Sequence, residues 1–146
     1  MQKAIEFDPN RPNIRWTFGE LYERKGMYAE AIRQYRKGLE LSDGNPNMLA
    51  LLASADAASG NIAEAEKLLR EMTQKEGKED PYLIAAVYAR MGRKEDAFRY
   101  LEKAYAEHSF GMILLRQERR FDGLRSDPRF RNLLRRLNYP EAPSQK

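Results

Sequence analysis

Glycine recurs at positions 26, 60 and 92, and the same pattern is laid down around each copy. Five residues on comes an alanine, Ala31, Ala65 and Ala97, and four beyond it a large apolar residue, Tyr35, Leu69 and Leu101. Seven before each glycine stands a small residue, Gly19, Ala53 and Ala85, and four before it stand Tyr22, Asp56 and Tyr88. A period near 34 residues restricts the chain to stacked supersecondary units, none able to bury its apolar face alone. Within each unit the glycine ends a first helix in the left-handed conformation, and the small residues let a second helix approach closely. Asp56 interrupts a column that is otherwise tyrosine.

Helix starts fit the same division. Pro12, Pro46, Pro81 and Pro128 suit first helical positions, where the missing N–H costs nothing, and Asn45, Asp80 and Asp127 precede three of them as N-caps. Asn61 and Glu64 suggest a capping pair for the second helix of the middle unit. The spacing predicts helices at about 12–25, 28–41, 46–58, 62–76, 81–91 and 94–107, with no β-hairpin signal. The expected fold class is therefore all-α, an α-solenoid of antiparallel helical hairpins with units at about 12–45, 46–79 and 80–108.

The run Phe18-Gly19-x-x-Tyr22-x-x-x-Gly26-x-Tyr28-x-x-Ala31-x-x-x-Tyr35 resembles the tetratricopeptide repeat signature. The second copy, through Leu52, Ala53, Gly60, Ala65 and Leu69, and the third, through Ile84, Ala85, Tyr88, Gly92, Ala97, Leu101 and Ala104, are similar but degenerate. Gly38 and Met72 stand where that family favours alanine, and no proline closes any of the three copies. Residues 1–10, with Ala4, Ile5, Phe7 and Pro9, resemble the end of a preceding second helix, so the chain is expected to begin inside a truncated repeat. The run Phe121-Asp122-Gly123-Leu124-Arg125-Ser126-Asp127-Pro128-Arg129-Phe130-x-x-Leu133-Leu134 resembles the end of the C-terminal repeat region of bacterial multidomain regulatory proteins. That resemblance implies a sensory or scaffolding role beside domains that this chain does not contain.

A solenoid needs a terminal cover, because its last unit otherwise exposes an apolar side. Met112, Ile113, Leu114, Leu115, Phe121, Leu124, Phe130, Leu133, Leu134 and Leu137 are expected to supply it from capping helices at 109–139. Each such side chain contributes about 1.5–3 kcal/mol when buried. Residues 140–146 have no apolar anchor and read as a flexible tail.

Composition excludes several kinds of chemistry. Without cysteine there is no disulfide, thiolate metal site or thiol nucleophile, which suits a cytoplasmic chain. No apolar run is long enough to span a membrane, and no secretory leader opens the sequence. The single histidine, His108, falls at an expected helix C-terminus, where the helix dipole favours a cation. Glu64, Glu66, Glu95 and Asp96 read as solvated surface, and no phosphate-binding loop is present. Neither a cofactor nor a metal is expected, and the chain reads as non-catalytic.

Binding is the remaining class. First helices of stacked hairpins line a concave groove, and register assigns Trp16, Glu20 and Glu23 to it from the first unit. The second unit adds Leu51, Ser54 and Ala58, and the third Tyr82, Ala86 and Arg90. Members of the family that grip a terminal carboxylate resemble one another in lysine, asparagine and arginine at these places; Trp16, Glu20, Leu51 and Tyr82 stand here, so a carboxylate clamp is not expected. The surface suits a peptide or amphipathic helix of another protein, with Trp16 and Tyr82 as aromatic anchors. The competing reading of Trp16 is packing against Ile5 and Phe7, and of Leu51 and Tyr82, core between repeats. A third arrangement has the C-terminal helices folded over the groove, with Arg119 or Arg120 meeting Glu20 or Glu23.

Charge supplies an alternative. Residues 109–146 hold nine Lys/Arg against four Asp/Glu, a net +5, while the first 108 residues sum to −1. Arg116, Arg119, Arg120, Arg125, Arg129, Arg131, Arg135 and Arg136, interleaved with Phe121 and Phe130, would make this segment a nucleic-acid-binding or self-associating module. Asp122 and Asp127 interrupt the run and the phenylalanines fall at core spacing, so nucleic acid is the less favoured partner. Homo-oligomers through the solenoid ends stay open.

Overall fold

A computed structural model describes residues 8, 10–74 and 79–138. Expectations for residues 1–7 and for 140–146 lie outside them. The chain divides into two compact units, Met1–Glu79 and Asp80–Lys146. In the first, α1 (Pro12–Arg24) packs on α2 (Tyr28–Leu41), α2 on α3 (Pro46–Ala58), and α3 on α4 (Ile62–Thr73). In the second, α5 (Pro81–Arg90) packs on α6 (Lys94–Ala106), and two short 3-10 helices, Phe110–Leu114 and Arg119–Leu124, lie on α5. The closing helix α7 (Pro128–Arg136) lies against α6. No strand occurs among the described residues, and the fold is all-α.

Three turns close the hairpins in one geometry. Gly26, Gly60 and Gly92 have φ of 71°, 92° and 76°. The N–H after each glycine donates to the carbonyl five residues back: Met27 to Tyr22, Asn61 to Asp56 and Arg93 to Tyr88, at 2.9, 2.8 and 3.0 Å. The glycine N–H donates inside that bond, to Glu23, Ala57 and Ala89 respectively. This pair of nested bonds satisfies carbonyls that a helix end leaves orphaned, and its left-handed residue is why glycine recurs. Helices α2, α6 and α7 are followed by left-handed residues other than glycine, Asp43 (φ 52°), His108 (φ 55°) and Asn138 (φ 59°). Asn, Asp and His are the side chains that tolerate this region best.

Helix starts follow the caps. The Asn45 carboxamide oxygen accepts from the N–H of Asn47 and Met48, Asp80 from Tyr82, and Asp127 from Arg129, each ahead of a first-turn proline. Asn61 does not cap α4; its side-chain amide donates across the turn to the buried Asp56 carboxylate at 3.4 Å, which overrides the expected pairing with Glu64.

Close approach explains the small residues. A methyl added at Gly19 would overlap the Tyr35 ring, and one at Gly38 would press on the Met48 side chain. Helices α3 and α5 are buried on nearly every side, from Ala50 to Ala57 and from Pro81 to Val87. Helices α2, α4 and α6 bury one face each, chiefly through Ala31 and Tyr35, Ala65 and Leu69, and Ala97 and Leu101.

The cover over the last hairpin consists of the two 3-10 helices and α7. Met112, Leu115, Phe121, Leu124, Phe130 and Leu133 are buried, whereas Ile113 and Leu114 stay 55% and 45% exposed and Phe110 78%. Tight 3-10 turns, with three residues per turn, cannot turn Met112, Ile113, Leu114 and Leu115 to one side.

A non-glycine residue at positive φ is strained, so His108→Gly is expected to raise stability by about 1 kcal/mol. Urea denaturation of the two chains measures it; an unchanged midpoint would mean that the imidazole makes good the backbone cost.

Candidate functional site

His108 is exposed, and its place is set by the backbone of a helix end. Among the described residues no group of three or more His, Asp or Glu is placed to hold a metal ion. Among the described residues Asp56 is the one fully buried carboxylate; burial pushes it above its ordinary 3.8, against the pull of the Asn61 hydrogen bond and the charge of Arg36 and with a small addition from Glu64. Its Oδ1 accepts from Asn61, and among the described residues its Oδ2 has no hydrogen-bond partner. A carboxyl with no access for a substrate is a structural acid.

The expected groove residues separate by burial. Leu51, Ser54, Tyr82 and Ala86 are buried, and the Ser54 hydroxyl donates to its own helix at the Ala50 carbonyl. Tyr82 lies beneath Gly111, edge-on to the Phe121 ring with centroids 5.4 Å apart, so the segment after α6 covers it. Trp16, Glu20, Glu23, Ala58 and Arg90 are partly exposed. The first three sit at i, i+4 and i+7 on α1 and therefore share one stripe of that helix.

The C-terminal arginines are largely engaged within their own unit. Arg129 forks onto both oxygens of Glu95 at 2.8 and 3.0 Å, and Arg136 onto both of Glu102 at 2.8 and 2.9 Å. Both pairs are 34 residues apart, so α7 runs parallel to α6 and in register with it. Each guanidinium also lies over an aromatic ring of α6, Arg129 on Phe98 and Arg136 on Tyr105, both 4.2 Å from the centroid. Bidentate geometry and ring stacking are both arginine-specific, and lysine would lose both.

Further in, Arg125 donates to Asp122 and to the carbonyls of Arg116 and Glu118, and Arg120 is buried against Glu118. Burial pushes the Glu118 carboxyl up, but the charge and hydrogen bonds of Arg120 outweigh it and hold the carboxyl below its ordinary range. The Arg129 hydrogen bond and charge lower Glu95 in the same way. Glu95, read from sequence as solvated surface, is thus an anchor for α7. Its signal was the repeat period itself, which joins Glu95 to Arg129 and Glu102 to Arg136.

Known proteins resemble this chain in sequence. A family model described as Tetratricopeptide repeat matches residues 24–87, and a second of the same description matches residues 82–106. The chain is 37% identical over 89 residues to TPR repeat-containing thioredoxin TTL4 of Arabidopsis thaliana, a stretch covering 57% of this chain and 12% of that protein. It is 24% identical over 109 residues to TPR repeat-containing protein YpiA of Bacillus subtilis, covering 73% of this chain and 25% of that protein. The matched regions are thus a small part of each relative. No solved structure gives a significant match.

Two outcomes follow from these charges. The Asp56 carboxyl titrates higher in the folded chain than in the unfolded one, so its ionisation erodes stability as pH rises from about 4 through the folded value. Asp56→Asn should therefore be the more stable chain at pH 7 by about 1 kcal/mol or more, and the gap should close in acid; a constant gap across a urea series at several pH values would refute this. Glu95 titrates lower in the fold, so its contact with Arg129 is intact above the ordinary carboxylate range and fades as pH falls below it. Amide hydrogen exchange in α7 should lose several-fold protection in Glu95→Gln/Glu102→Gln at neutral pH, with the wild type converging on the variant in acid.

Proposed function

The chain belongs to the tetratricopeptide repeat family, and on that premise we propose that it is a non-catalytic module that holds another polypeptide. The repeats themselves imply a protein-interaction module. The observation that carries the finer reading is the stripe on α1, where Trp16, Glu20 and Glu23 lie together and partly open to solvent.

An aromatic ring beside two carboxylates selects a particular ligand. An amphipathic helix or peptide fits it by laying an apolar side chain on Trp16 and basic side chains beside Glu20 and Glu23. Ala58 and Arg90 extend the accessible surface on their own helices, while Leu51, Ser54, Tyr82 and Ala86 serve as core. The pairing of Arg120, Arg125, Arg129 and Arg136 with carboxylates of their own unit counts against a nucleic-acid role, because a phosphate backbone would have to displace them. The thioredoxin in one relative's name belongs to that protein; this chain has no cysteine with which to run dithiol chemistry. Among the described residues no helix is long and apolar enough to cross a membrane. Cysteine-free composition suits a cytoplasmic setting.

Trp16 is the single tryptophan, so binding on α1 has its own optical signal. Capture from lysate should retain a protein on the wild-type chain and lose it on Trp16→Ala/Glu20→Lys, with the purified partner shifting the wild-type tryptophan emission. Equal capture by a variant that circular dichroism shows to be folded would move the binding surface off α1.

A further inference from the structure

Helix α7 carries arginines on two sides, and α6 takes up only one of them. At 3.6 residues per turn, Arg129 and Arg136 share the side that meets Glu95 and Glu102. Phe130 and Leu133 come next and are buried. Arg131, Leu134 and Arg135 follow, roughly 140–240° round from Arg129. Both arginines there are exposed, and among the described residues no carboxylate pairs with either. With Pro128 and the half-buried Leu134 they line a surface hollow of about 510 Å³.

The inner side of the same helix demonstrates what its arginines accept: carboxylates on a neighbouring helix, spaced by whole turns, with apolar surface beside them. We propose that the outer side of α7 is a docking surface for an acidic amphipathic helix of a partner protein, whose two carboxylates, one turn apart, meet Arg131 and Arg135. An apolar side chain between those carboxylates enters the hollow over Pro128 and Leu134. The proposal does not rest on the stripe on α1. Charge complementarity selects an acidic ligand, and the apolar floor selects protein over nucleic acid. Two unpaired arginines offer few phosphate contacts, while their neighbours Arg129 and Arg136 are already neutralised.

The probe is a fluorescein-labelled alanine-based peptide of about fifteen residues, long enough to hold a helix in water, with two glutamates one turn apart flanking a leucine. Anisotropy titration with the full chain should give saturable binding that weakens about tenfold in Arg131→Gln/Arg135→Gln, since two exposed ion pairs are lost. Replacing the peptide's glutamates by glutamine should weaken it equally, while Trp16→Ala leaves it unchanged. Circular dichroism confirms that each variant folds, which exposed positions permit. Failure of the wild type to bind, equal binding by the arginine variant, or tighter binding of a single-stranded oligonucleotide of matching charge would each overturn the proposal.

Discussion

The nested pair of hydrogen bonds at each hairpin turn is the constraint on which the remaining structure depends. A left-handed residue two places after the last helical one reverses the chain within a few atoms, so the second helix must return along the first. Only then do Gly19 and Tyr35 meet, and only then does Ala31 reach the interface that keeps it buried. The energy in each turn is small, but the direction it imposes on about thirteen residues of helix decides which side chains become core. Burial then supplies the stabilisation.

Electrostatics does different work in the second unit. The 3-10 segments bring little regular backbone bonding, yet the ring cluster of Tyr82, Phe121 and Phe130 and the two forked arginines of α7 hold these segments and α7 on the last hairpin. Exposed ion pairs are individually weak. Here each is bidentate, stacked on a ring and repeated in register, so that one helix is aligned on another at two points.

The regular parts of this architecture were legible in the sequence because they rest on local rules. Glycine at 26, 60 and 92, proline at 12, 46, 81 and 128, and the caps at 45, 80 and 127 each act on their own few residues, and the helices start and stop accordingly. Asn61 misled because two partners compete for one amide, and the buried Asp56 won over the helix N-terminus. The outward reading of Leu51, Ser54, Tyr82 and Ala86 came from register alone, which does not say what lies on top; for Tyr82 it is Gly111 and Phe121, nearly thirty and forty residues further on. The arginine pairs were hidden for the opposite reason, being long-range contacts between residues that each look like ordinary surface.

Burial is divided very unequally among the helices, and this sets where the chain is free to drift. Around α3 and α5 almost any exchange alters packed volume, so few side chains are admissible there. Helices α2, α4 and α6 commit one face and leave the rest to water, where substitutions are close to neutral. New surface chemistry can therefore accumulate on α2, α4 and α6 without loss of the fold, while α3 and α5 in the interior stay nearly the same.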